Sequence, residues 1–293
     1  AGKSRMRLLL RELGDPHTAL PAVIHVAGSK GKGSTCEFVS SMLRCAGLRV
    51  GVYASPHVVS FGERVRVDGR SGIAPDAWTQ LVECGRVAAE RVDDASLTHF
   101  EIVTALALRH FIDERVDVAV VEVGMGGEDD ATNVFGGGDN LAAAVVTHIG
   151  MDHAEHLGGT LESIAAHKAG VCARGAPLLL AEQGADATRA VEHAVATIAA
   201  ARGVELERVE DVVRVTRRGG GARSDDGGNS STVRFEWSGG AFDATLRMSG
   251  AHQARNAATA VHAALRFARG DAWARAAANA ARSDLSSAHT SLT

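Results

Sequence analysis

HVAGSKGKGST, residues 25–35, overlaps the end of an apolar run, PAVIHVA at 21–27, and leads into Ser34 to Ala46, where Phe38, Val39, Met42 and Leu43 recur at helical spacing. A buried strand, a glycine loop and a helix in that order form the layout of a phosphate cradle. Gly28, Gly31 and Gly33 let backbone N–H groups approach an anion, and the helix N-terminus adds partial positive charge. Ser29 and Lys30 complete the loop, Lys32 can reach outer phosphates, and Ser34 or Thr35 can offer a hydroxyl to Mg²⁺. The usual G-x-x-x-x-G-K-S/T spacing is not met: Val26 stands at the first glycine position, and Gly33 separates Lys32 from Ser34. A glycine-rich turn with a solvated lysine is the plainer alternative. The strand before and the helix after favour phosphate.

Working outward, RVGVYAS at 49–55 reads as a strand, and ERVRVDGR at 63–70 as a strand entering a DG turn. Pro75 to Ala89 and Thr98 to Asp113 read as helices. DVAVVEV at 117–123 and the run from Ala142 are β-branched and apolar, the mark of strands buried on both faces. Thr160 to Cys172 reads as a helix, PLLLA as a strand and Asp186 to Arg202 as a helix. Strands alternating with helices predict an α/β domain with a mainly parallel sheet. From about residue 204 to 249 the pattern changes to a small antiparallel segment, VVRVT, TVRFEW and AFDATLRM, interrupted by a Gly/Ser-rich loop. The last two strands read as a hairpin through Ser238-Gly239-Gly240, and a final helix follows Gly250.

Composition excludes several classes. A net charge of −4 with no basic stripe argues against nucleic acid, and no apolar stretch approaches the length of a membrane span. Cys36, Cys45, Cys84 and Cys172 are scattered without a CxxC pair, so reduced structural thiols are expected rather than metal ligands or disulfides.

Polar anomalies then point to chemistry. Glu122 interrupts an apolar strand, where an unpaired carboxylate costs several kcal/mol or takes up a proton. A structural ion pair explains it; so does a metal-facing carboxylate at a strand's C-terminal end, where α/β sheets place ligands. GMGGEDDATN follows, rich in glycine and in the carboxylate oxygens that suit Mg²⁺ with a nucleotide. Ser55, Pro56 and His57 end one predicted strand, and Asp152 and His153 follow another. Each alone is ordinary loop polarity; three such places on one sheet edge with the glycine loop are not. Spacing alone makes Lys168 a solvated helix lysine.

These stretches together resemble the folylpolyglutamate synthase and dihydrofolate synthase family, relatives of the Mur peptide ligases. The marks run in order: HVAGSKGKGST, YASPHVVSFGERVRVDG, LTHFEIVTALAL, VVEVGMGGEDDATNV, THIGMDHAEHLGGTLESIAAHKAG and GAHQARNAATA. LTHFE and NLAAAVV look most like the plant-type dihydrofolate synthase. The resemblance implies an ATP-dependent amide ligase that phosphorylates a pteroate or folate carboxylate and lets the amine of L-glutamate attack the acyl phosphate. Dihydropteroate is the expected acceptor; extension of a folate's glutamate tail, and a non-catalytic nucleotide-binding remnant, are the alternatives. By resemblance, Gly28 to Thr35 hold ATP, Asn256 faces the adenine, Ser55 and Glu122 hold one Mg²⁺, His153 holds a second, and Lys168 is carried as a carbamate ligand. Ser55, Pro56, His57, Glu63 and Arg64 lie in the folate-side segment. A monomer in the cytoplasm or mitochondrion is expected, with residues 1–282 as one Mur-ligase-like central domain and 283–293 as an irregular tail.

Departures accompany the likeness. Gly62 stands where an arginine is expected, which predicts a lost substrate contact; Glu128 and Asp129 add negative charge near the metals; Gly136 to Asp139 lengthen a loop. No WPGR-like or DGAHN-like stretch occurs, so the family's C-terminal domain is expected to be missing, and one wall of the cleft with it.

Overall fold

The computed structural model of the chain describes residues 2–70, 72–92, 96–136, 140–184, 188–219, 230–248, 250–271, 273–274 and 276–277. In chain order the elements are α1 (Gly2–Glu12), α2 (Pro16–Ala19), β1 (Val23–Ala27), α3 (Lys32–Cys45), β2 (Val50–Tyr53), a 3-10 turn (Phe61–Arg64), β3 (Val65–Val67), α4 (Pro75–Val92), α5 (His99–Asp113), β4 (Val118–Glu122), β5 (Leu141–Val146), α6 (Leu161–Ala169), β6 (Leu178–Leu180), α7 (Thr188–Arg202), β7 (Leu206–Arg208), α8 (Val209–Val212), β8 (Arg214–Gly219), β9 (Ser231–Trp237), β10 (Gly240–Leu246) and α9 (Ala251–Arg269).

Seven strands form one sheet in the order β3-β2-β4-β1-β5-β6-β7. All neighbours are parallel except β3, which runs antiparallel to β2 at the edge. The apolar runs at 21–27 and 117–123 pair directly, Ile24 opposite Val120 and Val26 opposite Glu122. Both faces are covered, which is why those strands need no polar alternation. Ile24, Val26, Val120 and Val145 pack under α3 and α9; Val23, Val121 and Leu141 pack on the opposite side with α1 and α5; and α6 and α7 cover Ala144, Val146 and Leu180.

The α/β expectation holds. The antiparallel segment begins later than the composition change suggests. Residues 206–208 extend the parallel sheet as β7 beside β6, and the separate sheet β10-β9-β8 starts at Arg214. A three-residue strand has too few side chains to show a period. The helix expected to reach Cys172 stops at Ala169, where Gly170 caps it. Two carbonyls just beyond, of Gly170 and Cys172, accept from Arg202 instead, a contact that no local pattern announces. The interior of the Gly/Ser-rich loop, most of the Gly136–Asp139 insertion and the expected tail at 283–293 lie outside the described residues.

Candidate active site

The C-terminal ends of β1, β2, β4 and β5 meet at one edge of the sheet, on either side of β1, where the chain's winding reverses. The glycine loop leaves β1 there. Gly28 (φ 145°) and Gly31 (φ 88°) hold backbone conformations that disfavour other residues. A Cβ on Gly28 would stand 1.8 Å from the Thr147 hydroxyl, and one on Gly31 would stand 2.3 Å from Oδ1 of Asn256. Backbone bonds hold the loop: Ser29 and Lys30 N–H both donate to the His148 carbonyl (3.0 and 3.1 Å). The Ser29 hydroxyl donates to the Gly150 carbonyl at 2.9 Å. Helix α3 then begins at Lys32 with no side-chain cap, so its first N–H groups face an anion's position. The Thr35 hydroxyl is buried without a partner among the described residues, which suits a loop completed by a ligand.

Glu122 sits beside this loop, 4 % exposed. One oxygen accepts from Ser55 N–H at 3.1 Å, and the other lies 4.0 Å from the Lys32 amine. Burial pushes its carboxyl up to about 7 against the pull of Lys32 and of the Ser55 N–H. The strand glutamate is therefore paired, loosely, with the loop lysine; the ion-pair and ligand readings describe the same place. Ser55 and Glu122 together offer oxygens to a divalent cation. Among the described residues no group of three His, Cys, Asp or Glu gathers as a metal cage, so a cation here would complete its shell from phosphate oxygens and water, as Mg²⁺ does.

Lys168 corrects the expectation from spacing. It is 2 % exposed, not solvated, and its amine donates to the Gly28 carbonyl at 3.0 Å. Burial, reinforced by the charge of Lys32, brings it down to about 8, while Asp152 and Asp130 pull the other way.

A cleft of about 760 Å³ opens in front of these groups. Lys32, Ser55, Pro56, Arg64 and His153 line it, as do Arg5, Phe100 and Asp130, which the sequence reading did not single out. His153 adopts a positive φ of 52° that aids the turn after β5. Arg64 is steered by His57, whose Nδ1 accepts from its Nε at 3.0 Å. Glu63 does not border the cleft; its carboxylate accepts from the N–H groups of Val58, Val59 and Ser60 and holds the loop's shape. Asn256 lies against Gly31 and donates to Gln253, whose amide in turn reaches the Ser34 hydroxyl at 3.4 Å. Helix α9 thereby braces the phosphate loop.

Two expected departures change meaning. Glu128 is tied to Lys3 at 3.0 Å and to Arg202, so its charge is compensated. Burial would raise its carboxyl, but those two cations outweigh that and leave it lowered. Gly62 packs against Gly72, where a Cβ would come within 3.2 Å of the Gly72 Cα, so this loop has closed over the space an arginine stem would need. Asp129 does border the cleft.

Comparison with known proteins identifies the family. The Mur ligase middle domain family matches residues 26–264. A Haloferax volcanii protein named as a probable bifunctional folylpolyglutamate synthase/dihydropteroate synthase is 41% identical over 262 residues, covering 89% of this chain and 30% of its own length. The folylpolyglutamate synthase of Lacticaseibacillus casei is 34% identical over 92% of this chain and 60% of its own length. Among solved structures, an FPGS-AMPPCP complex superposes with a TM-score of 0.82 at 32% identity, over 92% of this chain and 64% of that one. A Mycobacterium tuberculosis folylpolyglutamate synthase complexed with ADP and AMPPCP gives 0.77 at 30% identity, over 94% of this chain and 62% of that one. The chain thus spans between about a third and two thirds of the length of these relatives.

Proposed function

Because this chain belongs to the Mur ligase family, we propose that it carries the nucleotide-binding and acceptor-binding part of an ATP-dependent ligase joining L-glutamate to dihydropteroate through an acyl phosphate. The observation that supports this most is the meeting of the glycine loop with Lys168 at Gly28 and of Lys32 with Glu122 at one sheet edge, where Lys32 and Ser55 also border the cleft. A carboxylate is a poor electrophile. Transfer of the γ-phosphoryl group of ATP to it supplies a leaving group, and the amine of glutamate then displaces phosphate.

The chain's own groups account for the steps it must assist. The loop N–H groups and Lys32 hold the phosphates and neutralise charge that develops on them. Ser55 and Glu122 would hold one Mg²⁺ and His153 a second, and the ions when bound would offset the negative charge of the phosphates. Lys168, brought to about 8 by burial, is in part a neutral amine near pH 8, the form that would add carbon dioxide and release a proton to give the anionic carbamate ligand implied by the family. Arg64, steered by His57, presents a cation to an acceptor carboxylate, while Arg5 on the same cleft is paired with Glu101 at 3.2 Å.

Dihydropteroate is the favoured acceptor, and a Bacillus subtilis relative named dihydrofolate synthase/folylpolyglutamate synthase, 39% identical over 66% of this chain and 44% of its own length, supports it. The name of the Lacticaseibacillus relative supports a second reading, extension of a folate's glutamate tail. Cytoplasm or mitochondrion remains the proposed compartment. Among the described residues, no helix is long and apolar enough to cross a membrane.

Release of ADP from ATP, Mg²⁺ and glutamate, run with dihydropteroate and separately with tetrahydrofolate monoglutamate, tests the reading. Acceptor-dependent ADP release with dihydropteroate supports it. Release with the folate alone transfers the assignment to the second reading. Release without an acceptor would identify a plain ATPase, and silence with both would leave this chain a nucleotide-binding part.

A further inference from the structure

His25, the first residue of the opening stretch, has no part in the phosphate loop. It lies at the centre of the sheet on β1, opposite Val121 and Ala144, and is fully buried. An apolar residue would pack there as its neighbours do. Instead, Nε2 lies 2.8 Å from the Thr132 hydroxyl, while Nδ1 is buried without a partner and Phe135 closes edge-on at 5.4 Å. An unpaired buried ring nitrogen costs stability, so the histidine is not explained by the core.

The proton count fixes the direction of the bonds. The Thr132 hydroxyl has one proton and lies 2.6 Å from Oδ1 of Asp130, which also accepts from Thr132 N–H at 2.9 Å. Burial raises the Asp130 carboxyl, while the Thr132 hydroxyl and the N–H groups of Met125, Thr132 and Gly124 favour its charged form; in that form it only accepts, so the hydroxyl donates to Asp130 and must accept from His25. Nε2 therefore carries the proton and Nδ1 is bare, in agreement with its lack of a partner. With the hydroxyl so committed, the opposite tautomer would set two lone pairs against each other across the 2.8 Å His25–Thr132 contact. Burial keeps the ring neutral, pushing it down to about 3. The chain ends at the cleft: Asp130 borders it, with its other oxygen fixed by Met125 N–H at 2.8 Å.

We propose that His25 is a positioning residue, which locks the Thr132 hydroxyl and through it sets the Asp130 carboxylate toward a hydrogen-bond donor of the acceptor substrate. This rests on the acceptor-cleft reading given above. It separates two neighbours on one strand end: the loop that follows β1 serves the nucleotide, while His25 within β1 serves the acceptor.

The test compares His25→Met, which removes the donor, with His25→Gln, which keeps one near Nε2, and Thr132→Val with Thr132→Ser. Dissociation constants for dihydropteroate and for magnesium AMPPCP are measured by calorimetry on the same chain. The expected result is dihydropteroate binding weakened about tenfold or more in His25→Met and Thr132→Val, with nucleotide binding within about twofold and with His25→Gln and Thr132→Ser close to the parent. Equal loss for both ligands, or no rescue by the glutamine, would overturn it. Thr132→Val carries the test alone should His25→Met not fold. Should the parent itself not take dihydropteroate, the acceptor assignment falls, and the titration of Asp130 followed by carbon NMR decides the positioning role. A rise in the Asp130 pKa in His25→Met supports it, because the lost orientation weakens a donor to the charged form; an unchanged titration refutes it.

Discussion

The amine of Lys168 donates to the carbonyl oxygen of Gly28 at 3.0 Å, joining the helix after β5 to the first turn of the phosphate loop across 140 positions of sequence. A lysine that looks solvated by spacing is thus a buried strut behind the glycine loop. Lys168→Met should weaken magnesium AMPPCP binding by about tenfold or more, since loss of a charged donor to a buried carbonyl costs on the order of 2 kcal/mol. With ¹³C-labelled bicarbonate at pH 8, a carbamate carbon signal is expected in the parent and absent in Lys168→Met. Its absence from the parent would remove the carbamate from the proposed mechanism.

Glu122 yields a pH prediction with a definite sign. Its folded pKa, about 7, lies above the ordinary value of 4.5, so between those values the folded state holds more proton than the unfolded state, and stability falls as pH rises. Glu122→Gln removes that cost. The variant should match the parent near pH 4.5 and exceed it at pH 8 by at most about 3 kcal/mol, seen as a higher thermal midpoint. A variant less stable than the parent at pH 8 would show that the carboxylate is held by partners rather than strained by burial.

Gly28→Ala should disturb the loop beyond its own position. The added methyl would meet the Thr147 hydroxyl at 1.8 Å, and φ of 145° is strained for alanine. The loop must move, and the carbonyl that receives Lys168 moves with it. Loss of nucleotide affinity is expected, and Thr147→Ala should restore only part of it because the backbone strain remains. Full restoration would show that the contact alone was limiting.

Glu128 separates charge near the site from charge in the site. Its bonds to Lys3 and Arg202 tie α1 to α7, so Glu128→Gln should lower the thermal midpoint by the equivalent of about 1 kcal/mol and leave nucleotide affinity unchanged. A change in magnesium-dependent binding would return this residue to the metal environment.

The sheet and its functional edge were legible for a physical reason. Strands buried on both faces must be apolar, so 21–27 and 117–123 announced themselves, and Glu122 stood out as the charge that did not belong. Glycines at 28 and 31 marked backbone that other residues resist. What escaped depends on contacts between distant segments. Arg5 lies on α1, which carries no motif, yet it borders the cleft beside Phe100 and Asp130. A search for amphipathic spacing would have found α1 through Met6, Leu9, Leu10 and Leu13, all buried, but not the direction of Arg5. Glu63 lay in the right segment, and its carboxylate is used to hold that loop.

In the proposed function the glycine loop, Lys32 and Glu122 form a nucleotide site. Calorimetric titration of this chain with magnesium AMPPCP, beside Lys32→Ala, tests it most directly. Saturable one-to-one binding that needs Mg²⁺ and is lost in Lys32→Ala is the expected result. Binding in the parent that survives unchanged in Lys32→Ala, or no binding in the parent, would contradict it.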